Sequence, residues 1–483
     1  MSKFNKSNQG INITNNKEGH KAYKMENKAK LVTQVLTSLF NEKKYYGDTS
    51  NELIKTAKIV AKTEPKFVAN LARYARKEMH LRSVSHALTA LVAFEVETKQ
   101  YIKEVVEDVV ERADDITEIL ACYIAMYGKP IPNGLKKALA TAMGRFNEYQ
   151  FSKYNTDGKS VRFKDILRIT HAKPTDEAQS KLFNKIINDS LNIAERWETV
   201  LSEKGNNKES WEYLISENKI GYMAMLRNLR NIINAGPSNI NDIYEKLANK
   251  DQVLKSKQLP FRFFSAYKEL QDVQKAGSKV FDTLETAIES SIENMPKLKG
   301  NTVIAIDVSG SMSGNISANS KVQCIDLSRL LGVMGSKMCD NVIVYTFCNS
   351  LKKIAISSRG GILEKANSIP FTGGGTNMAL PIEEMIKEKI IADRLIILSD
   401  NMVNSSWDGY SQTCQSFIDK YKKEVNKNIW VHAIDLQGYG TQQFIGENTN
   451  IIAGWNEKIF EFINLAEKGI DNQVKFIENY KSV

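Results

Sequence analysis

Three short stretches of this chain carry oxygen ligands at spacings that suit a hard divalent cation. Asp307-Val308-Ser309-Gly310-Ser311 supplies a carboxylate and two hydroxyls on alternating residues. Thr372-Gly373-Gly374-Gly375-Thr376-Asn377 offers another hydroxyl at Thr376, and Ser399-Asp400-Asn401 a second carboxylate. Two carboxylates and three hydroxyls are all hard oxygens, the set Mg²⁺ takes in octahedral geometry with water or a partner completing the shell. No Cys or His joins them, which argues against zinc. Asp-x-Ser-x-Ser alone also fits a strand-end turn whose hydroxyls cap the next helix. Three such loops at successive strand ends favour the metal.

The loops need strands to hold them. Residues 301–307 form a continuous apolar run ending in Asp307, and similar runs follow at 341–347, 394–399 and 428–435. Helical patterns intervene at about 322–338, 378–389, 412–423 and 457–466. This alternation predicts a doubly wound parallel sheet covered by helices on both faces, with its ligand site at the strands' carboxyl ends. Before residue 297 the pattern is helical almost throughout. Leu31, Val35 and Leu39, with Leu36 and Phe40, make one stripe; Phe67, Val68, Leu71, Ala72 and Ala75 follow Pro65 at 3–4 spacing. Helices are also expected at 84–96, at 116–126 after the acidic Asp114 and Asp115, and beyond Pro132. No fixed-period consensus appears, so the expectation is an irregular α-solenoid over residues 25–296, a flexible arm over 1–24 and an α/β domain over 297–483.

Charge divides at the same place. The 483 residues carry 66 Lys plus Arg and 56 Asp plus Glu, a net charge of +10. Residues 301–483 hold 18 basic and 19 acidic side chains, so the first 300 hold 48 and 37. A basic excess confined to the helical part attracts polyanions, of which nucleic acid is the commonest, unless the lysines merely reflect a Lys- and Asn-rich composition. Lys136 and Lys137 project from the polar face of their helix as point charges for phosphate. Arg168 and His171, three residues apart, form a possible donor pair, although His171 at a helix end also reads as a C-terminal cap. Arg227 and Asn228 could equally be a buried structural pair.

Several classes are disfavoured. Apolar residues at 42% and charged residues at 25% are ordinary globular values, and no run approaches the roughly 20 apolar residues of a membrane span. The polar, Asn-rich start does not read as a secretory signal. The five cysteines form no CxxC pair and are odd in number, unlike a zinc ribbon or a disulfide framework. A soluble, cytoplasmic protein is expected. Two-metal hydrolysis needs more clustered carboxylates and a one-metal site needs a general base; neither is visible near Asp307 or Asp400. No GxxxxGK[ST] loop is present. Binding, not catalysis, is the expectation, with a Mg²⁺-dependent protein scaffold as the alternative to a nucleic-acid-binding scaffold.

The last 180 or so residues resemble a von Willebrand factor A domain, and Asp307, Ser309, Ser311, Thr376 and Asp400 match its metal-ion-dependent adhesion site. Asp400-Asn401 stands where many adhesive members have Asp-Gly. A basic helical array followed by such a domain resembles the Ro autoantigen family, whose module is called TROVE. The local resemblance lies in Asn133-Gly134-Leu135-Lys136-Lys137-Ala138-Leu139, Tyr149-Gln150-Phe151-Ser152-Lys153-Tyr154, Lys164-Asp165-Ile166-Leu167-Arg168-Ile169-Thr170-His171-Ala172-Lys173-Pro174 and Met225-Leu226-Arg227-Asn228-Leu229. It implies a ring of HEAT-like helices closed by a Rossmann-like A domain, without catalytic activity and monomeric. It implies small noncoding Y RNA on the ring's outer surface, and single-stranded 3′ ends of misfolded RNA in a central hole, for RNA quality control. Bacterial relatives can be tethered by Y RNA to the exoribonuclease polynucleotide phosphorylase. Lys153 and His171 match RNA-surface positions of the family, which turns His171 from cap to contact. A further family arginine falls in residues 155–159, where this chain has Asp157 and no arginine.

Overall fold

The computed structural model describes residues 13–16, 19–36, 52–155, 158–192, 196–293, 295–315, 321–356, 360–404, 413–437, 441–453, 458–468 and 473–481. They form two compact units, each containing one end of the chain: residues 26–195 with 474–483, and residues 1–25 with 196–473.

The first unit is a stack of helices: α1 (Asn27–Leu36), α2 (Glu52–Thr63), α3 (Pro65–Lys77), α4 (Ser83–Phe94), α5 (Ile102–Val109), α6 (Ala113–Tyr127), α7 (Asn133–Met143), α8 (Glu148–Tyr154), α9 (Phe163–Thr170) and α10 (Glu177–Ile187). Pro65 opens α3 at a position where its missing N–H costs no helical bond, and Phe67, Val68, Leu71, Ala72 and Ala75 are all buried. From α2 to α9 the helices alternate between two layers. α3, α5, α7 and α9 pack side by side in one, and α2, α4, α6 and α8 in the other. Each helix buries one face on the opposite layer, as a solenoid requires. Of the first apolar stripe, Leu31, Val35 and Leu36 are buried in α1; Leu39 and Phe40 lie outside the described residues.

The end of the chain completes this unit. Phe476 and Tyr480 meet Tyr74 of α3 edge-on, at centroid distances of 5.9 and 5.6 Å. Asn70 Nδ2 donates to the Glu478 carbonyl at 2.9 Å, and the Tyr480 hydroxyl donates to Glu78 at 3.2 Å. Removing residues 474–483 uncovers Tyr74, which is otherwise buried. The expected loss is about 3 kcal/mol or more of stability, the cost of stripping aromatic cover from a core. Urea unfolding of the truncated protein against the full chain measures it.

The second unit begins with β1 (Ile13–Asn15) and β2 (Lys21–Lys24), part of the segment expected as a flexible arm. They pair antiparallel, and β2 pairs in turn with β8 (Thr441–Gln442), so this part of the arm is ordered by sheet hydrogen bonds. Helices α11 (Trp197–Lys204), α12 (Lys208–Ser216), α13 (Tyr222–Ala235), α14 (Ile240–Ala248), α15 (Lys250–Ser256), α16 (Pro260–Leu270) and α17 (Ser278–Ile292) then lead into the α/β fold.

That fold contains β3 (Leu298–Asp307), α18 (Cys324–Met338), β4 (Cys339–Phe347), β5 (Leu351–Ile354), α19 (Ile362–Ser368), α20 (Leu380–Lys387), β6 (Arg394–Ser399), α21 (Cys414–Glu424), β7 (Trp430–Asp435), β9 (Thr449–Ala453) and α22 (Lys458–Glu467). The six strands run in the order β5-β4-β3-β6-β7-β9. All are parallel except β5, which turns back on β4 as an antiparallel edge. The expected parallel sheet is therefore a mixed one. Val303, Ala305, Leu395, Ile397, Val431 and Ala433 pack with Met385, Ile418 and Tyr421 of α20 and α21. On the other face, α18 lies so close that a Cβ at Gly332 would meet Ile306 Cδ1 at 2.4 Å. Both faces are covered, which is why the strands read as continuous apolar runs.

The preceding helices join this unit through their carboxylates and lysines. Glu285 of α17 accepts the N–H groups of Ile362 and Leu363, capping α19, and Lys268 of α16 pairs with Asp326 of α18 at 3.2 Å.

Candidate functional site

The strand order reverses between β3 and β6, so their carboxyl ends flank the switch point where ligands bind in such sheets. Asp307 ends β3, and Asp400 follows the last residue of β6. Asp307 accepts the Ser309 N–H at 2.9 Å on one oxygen and the Ser399 hydroxyl at 2.5 Å on the other. The Ser309 and Ser311 hydroxyls are 3.2 Å apart. Gly310 N–H donates to the Gly374 carbonyl and Gly373 N–H to the Val308 carbonyl, both at 2.9 Å, which stitches the first loop to the second. Thr376 N–H donates to Asn404 Oδ1 at 2.6 Å, tying the second loop to the third. Within the third, Met402 N–H donates to Asp400 Oδ1 at 3.1 Å. The five residues read from the sequence thus lie on three mutually bonded loops at one sheet edge. Asp307, Ser309, Thr376 and Asp400 are buried, while Ser311 is exposed and gives the group its opening.

The electrostatics suit a cation. Burial, and then the like charge of Asp400, push the Asp307 carboxyl up to about 7. A buried carboxylate raised by a second one favours a proton or a positive ion beside it. A hard divalent ion fits this all-oxygen donor set, which depends on hydroxyls; no group of three or more His, Cys, Asp or Glu among the described residues could hold a metal by itself. The Asp-Asn variation also has a backbone reason. Asn401 sits at φ +59°, the left-handed region that glycine fills freely and asparagine tolerates best among the other residues.

The basic candidates divide between the two layers of the helical unit. Lys136 and Lys137 lie on α7, partly and fully exposed, and Arg168 lies exposed on neighbouring α9. Next to Arg168, Arg162 and Lys164 both pair with Asp189 at 2.6 Å, so that cluster offers one net positive charge in place of two free cations. His171 caps α9 in a left-handed conformation, its N–H on the Leu167 carbonyl at 3.0 Å, with its side chain exposed. Cap and contact are therefore compatible, because the backbone does the one and leaves the ring for the other. Lys153 stands on α8, in the opposite layer, its Nζ 5.4 Å from the Tyr154 ring centroid, with Arg112 at 4.6 Å from the same ring. Asp157 lies outside the described residues.

Comparison with known proteins agrees with this architecture. The TROVE domain model matches residues 6–191 and 189–298, and the Ro60 vWA domain model matches residues 301–457. The chain belongs to the TROVE family. Its relatives are distant and matched in part. Telomerase protein component 1 of Rattus norvegicus is 22% identical over 329 residues, half of this chain but 12% of that protein's length. The RNA-binding protein RO60 of Caenorhabditis elegans is 23% identical over 232 residues, 45% of this chain and 35% of the other. RO60 of Deinococcus radiodurans is 23% identical over 225 residues, 43% and 41% of the respective lengths. The crystal structure of the Deinococcus radiodurans Ro protein superposes with a TM-score of 0.63 at 15% identity, covering 92% of this chain and all of that one. The fold of the TROVE region and its A domain is shared.

Some parts of the site in this TROVE protein were not read from its sequence. Ser399, bonded to Asp307, and Asn404, bonded to Thr376, position the candidate ligands without being among them. Asn349 crowds Gly375, where a Cβ would lie 2.5 Å from Asn349 Oδ1, so the Gly-rich loop is glycine for want of space. Arg227 and Asn228 are not a pair: Asn228 is buried and donates to the Ala224 carbonyl at 3.0 Å, while Arg227 is exposed.

Proposed function

We propose that this chain is the RNA-binding scaffold of a Ro-type ribonucleoprotein, acting by binding and not by catalysis. Its ligand is a small structured noncoding RNA of the Y type, held through phosphates by the α7–α9 face. Single-stranded ends of misfolded or decaying RNA are the second ligand, handed to an exoribonuclease in RNA quality control. The observation that carries the reading is the set of exposed Lys137, Arg168 and His171 with partly exposed Lys136 on two packed helices, in the first 300 residues, which hold all the excess positive charge. At the other site, Asp307, Ser309, Ser311, Thr376 and Asp400 would hold Mg²⁺. The ion would supply positive charge and an open coordination position for a partner's carboxylate, which makes a Mg²⁺-dependent protein scaffold the second reading; the exposed edge at Ser311 favours it.

Fluorescence anisotropy with a labelled RNA hairpin tests the first reading. Affinity should fall steeply between 50 and 200 mM salt, on the order of tenfold or more if several phosphates are neutralised. Lys136→Glu with Lys137→Glu should weaken hairpins of different sequence alike, since phosphate contacts carry no sequence information. A flat salt response would count against RNA as the ligand. Chelation that releases protein partners while leaving RNA bound would assign the metal site to the second role.

A further inference from the structure

The opposite layer of the helical unit carries a surface that none of the residues above explains. Phe94, at the end of α4, is 42% exposed although its ring is stacked on Tyr127 of α6, with centroids 4.0 Å apart and planes 7° from parallel. Lys58 of α2 places its Nζ 5.5 Å from the Tyr127 ring centroid. Lys55 and Lys62 lie three residues before and four after Lys58, hence on the same helix face, over about 10 Å of axis. Ile59 beside them is 51% exposed. Of the carboxylates on or beside this helix, Glu64 pairs with Lys28, and Glu52 pairs with Lys30 and also feels the charge of Lys55. No salt bridge holds Lys55, Lys58 or Lys62 among the described residues.

A core does not leave one ring of a parallel aromatic stack 42% in water beside a row of lysines held by no salt bridge among the described residues. Flat π-faces for bases, with lysines tracking a backbone, are the two components by which proteins hold unpaired strands without reading sequence. We propose that α2 and the Phe94–Tyr127 pair form a binding face for single-stranded RNA, distinct from the α7–α9 face. The assignment rests on the RNA-scaffold reading and gives its single-stranded ligand a place. A base continues the stack at Phe94, and the phosphates that follow lie along Lys58, Lys55 and Lys62. Glu95, next to Phe94, has its charge near the Tyr127 hydroxyl and so disfavours phosphate, but not a neutral base, at the aromatic end.

Anisotropy on the full chain, with an unstructured ten-nucleotide RNA and a blunt RNA hairpin as probes, tests the assignment. Phe94→Ala should weaken the single strand by about 5- to 150-fold, the loss of one stacked base, and leave the hairpin within about twofold. Phe94→Trp should retain single-strand affinity, which separates stacking from damage to the fold. Changing Lys55, Lys58 and Lys62 together to Gln should flatten the single-strand salt slope by about 2, near 0.7 per phosphate. Unchanged single-strand affinity in a folded Phe94→Ala protein, or equal loss for both probes, overturns the assignment. Binding of the hairpin with no binding of the single strand also overturns it, and would give this face to a protein partner. If the wild type binds neither probe, the RNA-scaffold reading itself falls.

Discussion

Asp115→Ala should destabilise the helical unit by about 3–5 kcal/mol, a large part of what a domain of this size has. Asp115 is fully buried and sits at the start of α6. Its carboxylate accepts from Arg76 at 3.0 Å, Arg82 at 2.7 Å and His86 at 3.0 Å, and from the N–H groups of Glu111 and Arg112 at 3.1 and 2.9 Å. One side chain thereby joins α3, α4 and α6. Removing it leaves the nearly buried Arg76 guanidinium with Glu111 and the Val109 carbonyl but without its buried partner, and leaves the N–H groups of Glu111 and Arg112 without their acceptor. Asp115→Asn, which can still accept the backbone N–H groups, should lose less. Denaturant unfolding followed by circular dichroism reads both, and a loss under about 1 kcal/mol for the alanine variant would mean that water reaches the arginines.

The same cluster sets a pH dependence. Burial opposes charge on Asp115, but the His86 hydrogen bond and the two guanidiniums outweigh it and hold the carboxyl well below the usual range. Burial pushes His86 down, against the pull of Asp115, so folding disfavours the imidazolium. Both groups bind protons more readily in the unfolded chain, so stability rises with pH where they titrate. The His86 contribution is complete above its unfolded pKa near 6.5 and is lost as pH falls below it; the Asp115 contribution follows below about 4. Hydrogen exchange in α4 and α6 should therefore quicken, relative to its intrinsic rate, from pH 7 to 5. His86→Gln should remove that quickening.

What could be read from the sequence follows from how each feature is encoded. The buried parallel strands announced themselves because both of their faces are covered, leaving runs such as 303–306 with no polar residue. β5 did not, since Leu351-Lys352-Lys353-Ile354 is short and exposes both lysines at the sheet edge. The three candidate loops were legible because hydroxyls and carboxylates at short, regular spacing stand out in 307–311, 372–377 and 399–401. Ser399 escaped notice because its role depends on its neighbour strand: only the β3–β6 pairing brings its hydroxyl to Asp307. Lys136 and Lys137 could be placed outside their helix from periodicity, yet periodicity says nothing about which layer a helix joins. For that reason Lys153 fell on the other side of the stack from α7 and α9, and the lysines of α2 beside Tyr127 were passed over. Their meaning lies in a contact between residues 69 positions apart.

Mg²⁺ should stabilise the wild-type chain and leave Asp307→Asn indifferent. Without the ion, Asp307 and Asp400 are buried side by side at the end of neighbouring strands, and each penalises the charge of the other. A cation bound to the folded state alone adds stability by mass action, about 2.7 kcal/mol at a hundredfold excess over Kd. Asparagine keeps the shape: its carbonyl can still accept the Ser309 N–H, and its amide can donate to the Ser399 hydroxyl. What it removes is one of the two charges. In EDTA the variant should therefore melt at the same temperature as the wild type or above it, whereas in Mg²⁺ the order should reverse. This crossing distinguishes a metal site from a merely structural carboxylate, because a structural Asp307 would make the variant less stable in both buffers by the same amount. Differential scanning calorimetry in EDTA and in 10 mM Mg²⁺ reads the crossing, and a wild-type melting temperature that ignores the ion would leave the three loops as hydrogen-bonded strand ends and nothing more.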